Sequence, residues 1–415
     1  MNTLARGALL LLAAGACAKT PPPTPDAQLA QRDAREAAAV SSASAPHTTD
    51  AVIALGNLDV QIRSAEAIVH RNPDDIDATG NLIAFLLSRG QYKGRVADYE
   101  QAAAVADALV ARHPESGAAH LSRASTLATF HRFADALAEA AIAERTGASM
   151  PAVVRARATT YMALGRFDEA AALDAWPDVK ALDATDLATA AALAGERGRD
   201  AESEHLFELA GSAYRDVSPF PVAWVNFQRA SLLERKGNTE RAKDYFRVAQ
   251  GVLPTFVHAC VHLAALVAPE QARSMLEPLL ATSDDPQVQA AYAETLGRLG
   301  RAGEAPAFVA RARARYEELV TKHPEAFSDH AGSFYLGLGA DPARALTLAK
   351  ANAANRPNEA AIDLLLLAAT ATGAQEDACA AATLGTSLKY ATAIFRATVA
   401  AAGRGCAGGL ARTAP

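Results

Sequence analysis

The chain of 415 residues is poor in several residue types, and each shortage excludes a class of protein. Four cysteines, none in a CxxC pair, are too few for a disulfide scaffold or a structural zinc site. Aromatic residues make up 6% of the chain, which is low for a sheet-rich fold built on branched and aromatic side chains. The formal charge of −6 comes from scattered basic and acidic side chains, so a nucleic-acid partner, which needs a basic stripe, is not expected.

Half of the residues are hydrophobic, and alanine is abundant along the whole chain. Alanine is the best helix former and has a small side chain, so this composition favours thin helices that pack closely. A chain of this length can bury a substantial core, either in two or three globular domains or in one long array of helices. The composition favours the array.

The first residues have the organisation of an export signal. Arg6 precedes an apolar run, residues 8–14, that is too short to span a bilayer but suits the core of a signal peptide. Small residues then lead directly into Cys17, which resembles the lipobox of bacterial lipoproteins, although Ala14 stands where leucine is usual. The resemblance implies that residues 1–16 are removed and that Cys17 is lipidated. An ordinary secretory signal cut near Ala16 is the alternative.

The residues after Cys17 predict an anchor and a tether. Ala18, rather than aspartate, follows the cysteine. By the sorting rule of enteric lipoproteins, this implies an anchor in the outer membrane facing the periplasm. Residues 17–50 are rich in proline, alanine and serine, which predicts an extended tether between the anchor and the folded part.

Residues 51–400 carry a pattern with a period of about 34 residues. The most complete copy contains, in order, Ala230, Gly237, Ala242, Phe246, Ala249 and Pro254. This pattern resembles the tetratricopeptide repeat, in which two antiparallel helices meet at a turn with positive φ and touch through small residues. The resemblance implies an all-α fold, a right-handed superhelical solenoid of eight or nine antiparallel helical hairpins, followed by a C-terminal tail, residues 401–415.

The same resemblance implies a partner-binding groove, because the first helices of successive hairpins line the concave side of such an array. The aromatic pair Trp224 and Phe227 is suited to a binding hot spot, and the alternative is that it packs against a neighbouring repeat. The groove residues, counted from the turn glycines Gly237 and Gly165, are Trp224, Phe227, Ser231, Arg235, Arg155 and Thr159.

Three further sets of residues leave alternatives open. His258 and His262 lie one helical turn apart and could share a face as metal ligands, but the glutamate of the HExxH motif is absent. Cys379 and Cys406 could pair in an oxidising compartment, and two small apolar side chains are the alternative. Arg123, Arg157 and Arg229 share one repeat position, which predicts either a ladder of internal ion pairs or a track for an anionic ligand.

No nucleophile elbow, Walker-type phosphate loop or calcium-binding loop is present in the sequence, so no catalytic residue, cofactor or metal ligand is assigned. The sequence therefore predicts a non-catalytic scaffold that is tethered to the bacterial envelope through Cys17 and binds other envelope proteins or peptides. The alternative is an exported ligand-binding or metal-binding protein that uses the region of His258 and His262.

Overall fold

The computed structural model of the protein describes residues 48–173 and 182–406. Over these two stretches it contains twenty α-helices, two short 3-10 helices and no strand. The predicted signal peptide, the predicted lipidation site Cys17, most of the predicted tether and the end of the predicted C-terminal tail lie outside the described residues.

The helices are α1 (Ala51–Arg71), α2 (Ile76–Lys93), α3 (Val96–Arg112), α4 (Gly117–Thr129), α5 (Phe133–Arg145), α6 (Met150–Ala163), α7 (Phe167–Ala171), α8 (Ala184–Glu196), α9 (Asp200–Ala213), α10 (Pro219–Arg235), α11 (Thr239–Val252), α12 (Val257–Leu266), α13 (Pro269–Leu276), α14 (Pro286–Arg298), α15 (Ala305–Lys322), α16 (Pro324–Leu336), α17 (Pro342–Asn355), α18 (Glu359–Thr372), α19 (Gln375–Ser387) and α20 (Ala393–Gly403).

The helices from α2 to α19 pack in successive pairs, which we number hairpins 1 (α2 and α3) to 9 (α18 and α19). The single helices α1 and α20 flank the hairpins at the two ends of the described part. The predicted fold class, an all-α solenoid of helical hairpins, is confirmed, and the nine hairpins of the described residues fall within the predicted number. None of the helices in the described stretches is both long and apolar enough to cross a membrane.

The two helices of a hairpin meet at a residue with positive φ in eight of the nine hairpins. A Cβ atom is strained in this left-handed region, so glycine is favoured there. His131 (φ 55°) and Ala340 (φ 48°) nevertheless take this position in hairpins 2 and 8. The other six hairpins have glycine at the turn, with φ between 58° and 79°: Gly94, Gly165, Gly198, Gly237, Gly300 and Gly373.

The connection between one hairpin and the next is defined by helix caps. The side chains of Asp75, Ser116, Asp183, Asp285 and Asn358 each accept a hydrogen bond from a backbone N–H two or three residues further on. Such caps satisfy donors that the first turn of a helix leaves unpaired. These residues therefore mark where the first helices of five hairpins begin.

Small side chains lie where helices cross. Ala158, Ala191, Ala230, Ala242 and Ala249 are all fully buried. Because a methyl group is the only side chain at these positions, neighbouring helices approach closely and the interior remains densely packed. This explains why alanine recurs at fixed positions of the repeat.

Turns of early hairpins also contact connections between late hairpins, and we call this set of contacts the seam. Gly94 in the turn of hairpin 1 accepts hydrogen bonds from Ser283 Oγ (2.6 Å) and the Asp284 backbone N–H (3.1 Å). The seam is mainly polar. Other hydrogen bonds of the seam join His131 to Asn355, Ala163 to Asn358, and Asp168 to Lys389 and Tyr390.

Candidate partner-binding groove

The predicted groove residues occupy fixed positions relative to the turn of their hairpin. Arg155 and Thr159 precede Gly165 by ten and six residues, and Phe227 and Ser231 stand in the same relation to Gly237. We call the surface formed by these positions on successive first helices the inner face.

On hairpin 5 the inner face is partly covered by other parts of the protein. The ring centroid of Phe227 lies 5.0 Å from that of Phe256 and 5.9 Å from that of Phe246. Trp224 stacks obliquely on Phe227 at 5.8 Å, and both rings pack against a buried cluster that includes Leu55 of α1. The aromatic pair therefore contributes to packing between hairpins 5 and 6 and the N-terminal helix.

Three of the four polar groove residues form hydrogen bonds or ion pairs within the protein. The Arg155 guanidinium forms two hydrogen bonds with the buried carboxylate of Asp186, at 2.5 and 2.6 Å. Thr159 Oγ1 donates to the backbone carbonyl of Arg155 at 3.0 Å. Arg235 pairs with a carboxylate of hairpin 4, and Ser231 Oγ is buried without a partner among the described residues. The two arginines therefore tie first helices to one another.

The arginines that share one repeat position form internal ion pairs. Arg229 also lies over the ring of Tyr245, with 4.3 Å between its guanidinium carbon and the ring centroid. Each guanidinium lies against at least one carboxylate: Arg123 with Asp107 and Glu139, Arg157 with Glu144, and Arg229 with Glu204. The structure thus shows the ladder of ion pairs, the first of the two alternatives.

The side chains of His258 and His262 lie in different environments. His262 Nδ1 is 2.7 Å from Glu234 Oε2. Burial lowers the pKa of His258 to about 3 and raises the pKa of the Cys260 thiol to about 12. Across residues 48–173 and 182–406, no group of three or more histidine, cysteine, aspartate or glutamate side chains could hold a metal ion.

Cys379 and Cys406 are joined by a disulfide, with their Cα atoms 5.6 Å apart. The bond links α19 to the residues that follow α20. It therefore fastens the last helix to hairpin 9, where helix packing alone is limited by the short length of α20.

An open cavity of about 530 Å³ lies on the inner face of hairpins 7 and 8. Ala290 and Glu294 line it from α14, and they precede Gly300 by ten and six residues. His330 and Phe334 line it from α16, and they stand in the same relation to Ala340. The cavity therefore occupies the positions at which the repeat predicts a groove, two hairpins beyond the residues first considered.

The lining of this cavity has little positive charge. It contains no lysine or arginine, and its one carboxylate is Glu294. His330 Nε2 lies 3.8 Å from Asp329 Oδ2. Burial opposes ionisation of Asp329, but the charges of His330 and Arg356 outweigh it and lower the pKa of this carboxyl to about 2. Asp329 is therefore ionised and balanced from within the protein.

A smaller cavity of about 280 Å³ lies between the inner face of hairpins 3 to 5 and the seam. Met162 and Arg235 line it from the first helices of hairpins 3 and 5, and Asn358 and Tyr390 line it from the seam. Late connections thus stand over this part of the inner face. The cavity on hairpins 7 and 8 is the larger of the two.

No protein-family model matches the chain, and no curated protein matches its sequence. Among solved structures, it is similar to the P58(IPK) TPR domain, with 15% identity, 85% of this chain and 95% of that chain covered, and a TM-score of 0.28. It is also similar to yeast Tom70, with 14% identity, coverage of 90% and 96%, and a TM-score of 0.33. A third similar structure is the APC/C hetero-tetramer Cut9–Hcn1, with 14% identity, coverage of 82% and 59%, and a TM-score of 0.35.

Proposed function

We propose that the protein is a non-catalytic scaffold of the bacterial envelope that binds segments of other envelope proteins in the inner-face cavity of hairpins 7 and 8. The observation that carries this proposal is the cavity itself, which lies between first helices at the positions where a hairpin array receives a partner. Its lining combines small residues, which leave room, with exposed apolar atoms and few charges.

The contrast with hairpin 5 supports the choice of cavity. There, Trp224 and Phe227 are partly buried against a cluster of the protein's own side chains that includes Leu55. On hairpin 8, Leu338 lines the cavity and keeps 38% of its surface exposed. An apolar side chain left open in a concave surface favours binding of a further chain.

Photocrosslinking in cells tests the proposal. A photoreactive amino acid replaces Leu338 in the cavity or, as the control, the exposed Ala310 on the second helix of hairpin 7. The proposal expects a discrete protein adduct from position 338 and none from position 310. Equal labelling at the two positions would contradict a binding role for the cavity.

The envelope anchor is proposed from the N-terminal sequence. The Cys379–Cys406 disulfide supports an exported location, because disulfides persist in oxidising compartments. We expect the Cys17→Ser variant to leave the membrane fraction and the neighbouring Ala18→Ser variant to remain in it. Membrane retention of Cys17→Ser without a lipid adduct would contradict the anchor.

A further inference from the structure

Two carboxylates on the inner face of hairpins 7 to 9 have no counter-charge. Glu294 precedes its turn glycine, Gly300, by six residues, and Asp363 precedes Gly373 by ten. Among the described residues, neither carboxylate has an ion-pair or hydrogen-bond partner. Most other charged side chains of this array are paired, as Arg155 is with Asp186. These two carboxylates of the inner face are therefore unpaired within the described part of the chain, and the ionisable group at the corresponding position of hairpin 8, His330, lies 3.8 Å from Asp329.

Apolar side chains alternate with these carboxylates along the same positions. Phe334 and Leu367 precede Ala340 and Gly373 by six residues and are thus equivalent to Glu294. Leu367 keeps 47% of its surface exposed. The inner face from hairpin 7 to hairpin 9 thus carries Glu294 at the cavity, and Asp363 and the exposed Leu367 on hairpin 9, while Phe334 is buried in the cavity wall.

Asp363 is half-buried, and burial together with the nearby charge of Glu359 raises the pKa of its carboxyl. A carboxylate that loses water without gaining a cation is destabilised, and a cation brought to it restores the interaction. The neighbouring apolar groups would be covered at the same time. Pairing of the carboxylate with a cation and burial of the apolar groups would both favour binding of a partner.

We infer that the partner presents an extended segment with lysine or arginine side chains next to apolar ones. The cationic groups bind Glu294 and Asp363, and the apolar groups fill the cavity and contact Leu338 and Leu367. Directly packed helices are about 8–10 Å apart, and the cavity separates α14 from α16, so two hairpin steps span at least about 20 Å. An extended chain covers this distance in about six residues. This inference rests on the proposed function and specifies the class of partner.

Selection from a random decapeptide display library tests the inference on the full mature chain, purified from membranes. The test variant, Glu294→Gln with Asp363→Asn, removes two negative charges from the inner face. The control, Glu208→Gln with Glu376→Gln, removes two from exposed positions on second helices. The wild type and the control should enrich peptides that contain lysine or arginine together with leucine, isoleucine or phenylalanine. A selected peptide should bind the test variant about tenfold more weakly.

The outcomes separate this inference from the proposed function. Enrichment of acidic or uncharged peptides, absence of any enrichment, or equal weakening in the test and control variants would overturn the cationic partner. Crosslinking at Leu338 decides independently whether the cavity binds a protein. A trapped partner combined with acidic peptides would retain the scaffold and reject the inference.

Discussion

The turn of hairpin 7 provides a quantitative test of the backbone conformation on which the repeat depends. At Gly300 φ is 73°, and an added Cβ would have no atom within 4 Å. The Gly300→Ala substitution therefore adds left-handed strain of about 1–2 kcal/mol. The less flexible unfolded chain offsets about 0.5–1 kcal/mol of this strain. We expect the free energy of unfolding to fall by about 1 kcal/mol.

The same substitution three residues earlier should have the opposite sign. Gly297 lies within α14, and an added Cβ there also has no atom within 4 Å. Because alanine is the better helix former, Gly297→Ala should raise the free energy of unfolding by about 0.5 kcal/mol. Conversely, Ala340 is exposed and has φ of 48°, so Ala340→Gly should relieve strain and stabilise by about 0.5 kcal/mol.

Urea titrations followed by circular dichroism on the mature chain measure these differences, provided that the slope of each transition matches that of the wild type. The expected order of stability is Gly297→Ala above wild type above Gly300→Ala. If both glycine substitutions shift the midpoint in the same direction, the left-handed strain does not determine the turn and the reasoning is refuted.

Three further predictions concern the seam and the C-terminal end. Asp168→Asn should speed amide hydrogen exchange at residues 388–392, because Asp168 accepts hydrogen bonds from Lys389 and Tyr390. These hydrogen bonds lower the pKa of the Asp168 carboxyl. Their contribution to stability is therefore present above about pH 4 and is lost as pH falls through the lowered pKa of the folded state. Burial lowers the pKa of His131 to about 4, so stability should fall as pH drops from about 6.5 towards 4, and acid titration of His131→Asn should show a smaller loss. Replacing Cys379 and Cys406 by serine should lower the free energy of unfolding, measured by thermal unfolding, by about 3.5 kcal/mol. An unchanged transition temperature would contradict a structural role for the disulfide.

The hairpin fold could be predicted because each repeat carries its own local signals. Gly237 takes the positive φ that a tight turn requires, and Ala230 and Ala249 are fully buried at helix crossings. Phe246 fills the space between the two helices and is also buried. These requirements act within one repeat, so they remain visible in a single sequence.

The open part of the inner face could not be located in the same way. The sequence does not distinguish an aromatic pair that faces a partner from one that packs within the protein. Here Trp224 and Phe227 pack against a cluster that includes Leu55, which lies on a helix distant in sequence. The cavity residue His330 was missed for another reason. Its repeat position is found by counting back from the turn residue, and in hairpin 8 that residue is Ala340, where the pattern expects glycine. In hairpin 7, where the turn residue is Gly300, the same count identifies the residues of the inner face.

The seam changes how this array should fold. Repeat proteins usually behave as one-dimensional chains, in which each repeat is stabilised by its immediate neighbours and either end can unravel alone. Here Gly94 bonds to Asp284, and Asp168 bonds to Lys389, so early hairpins lose stabilising contacts when late hairpins unfold. Such pairs also require the closure of long loops, which slows folding. The seam therefore makes folding more cooperative, and removal of hairpin 9 would loosen hairpin 3.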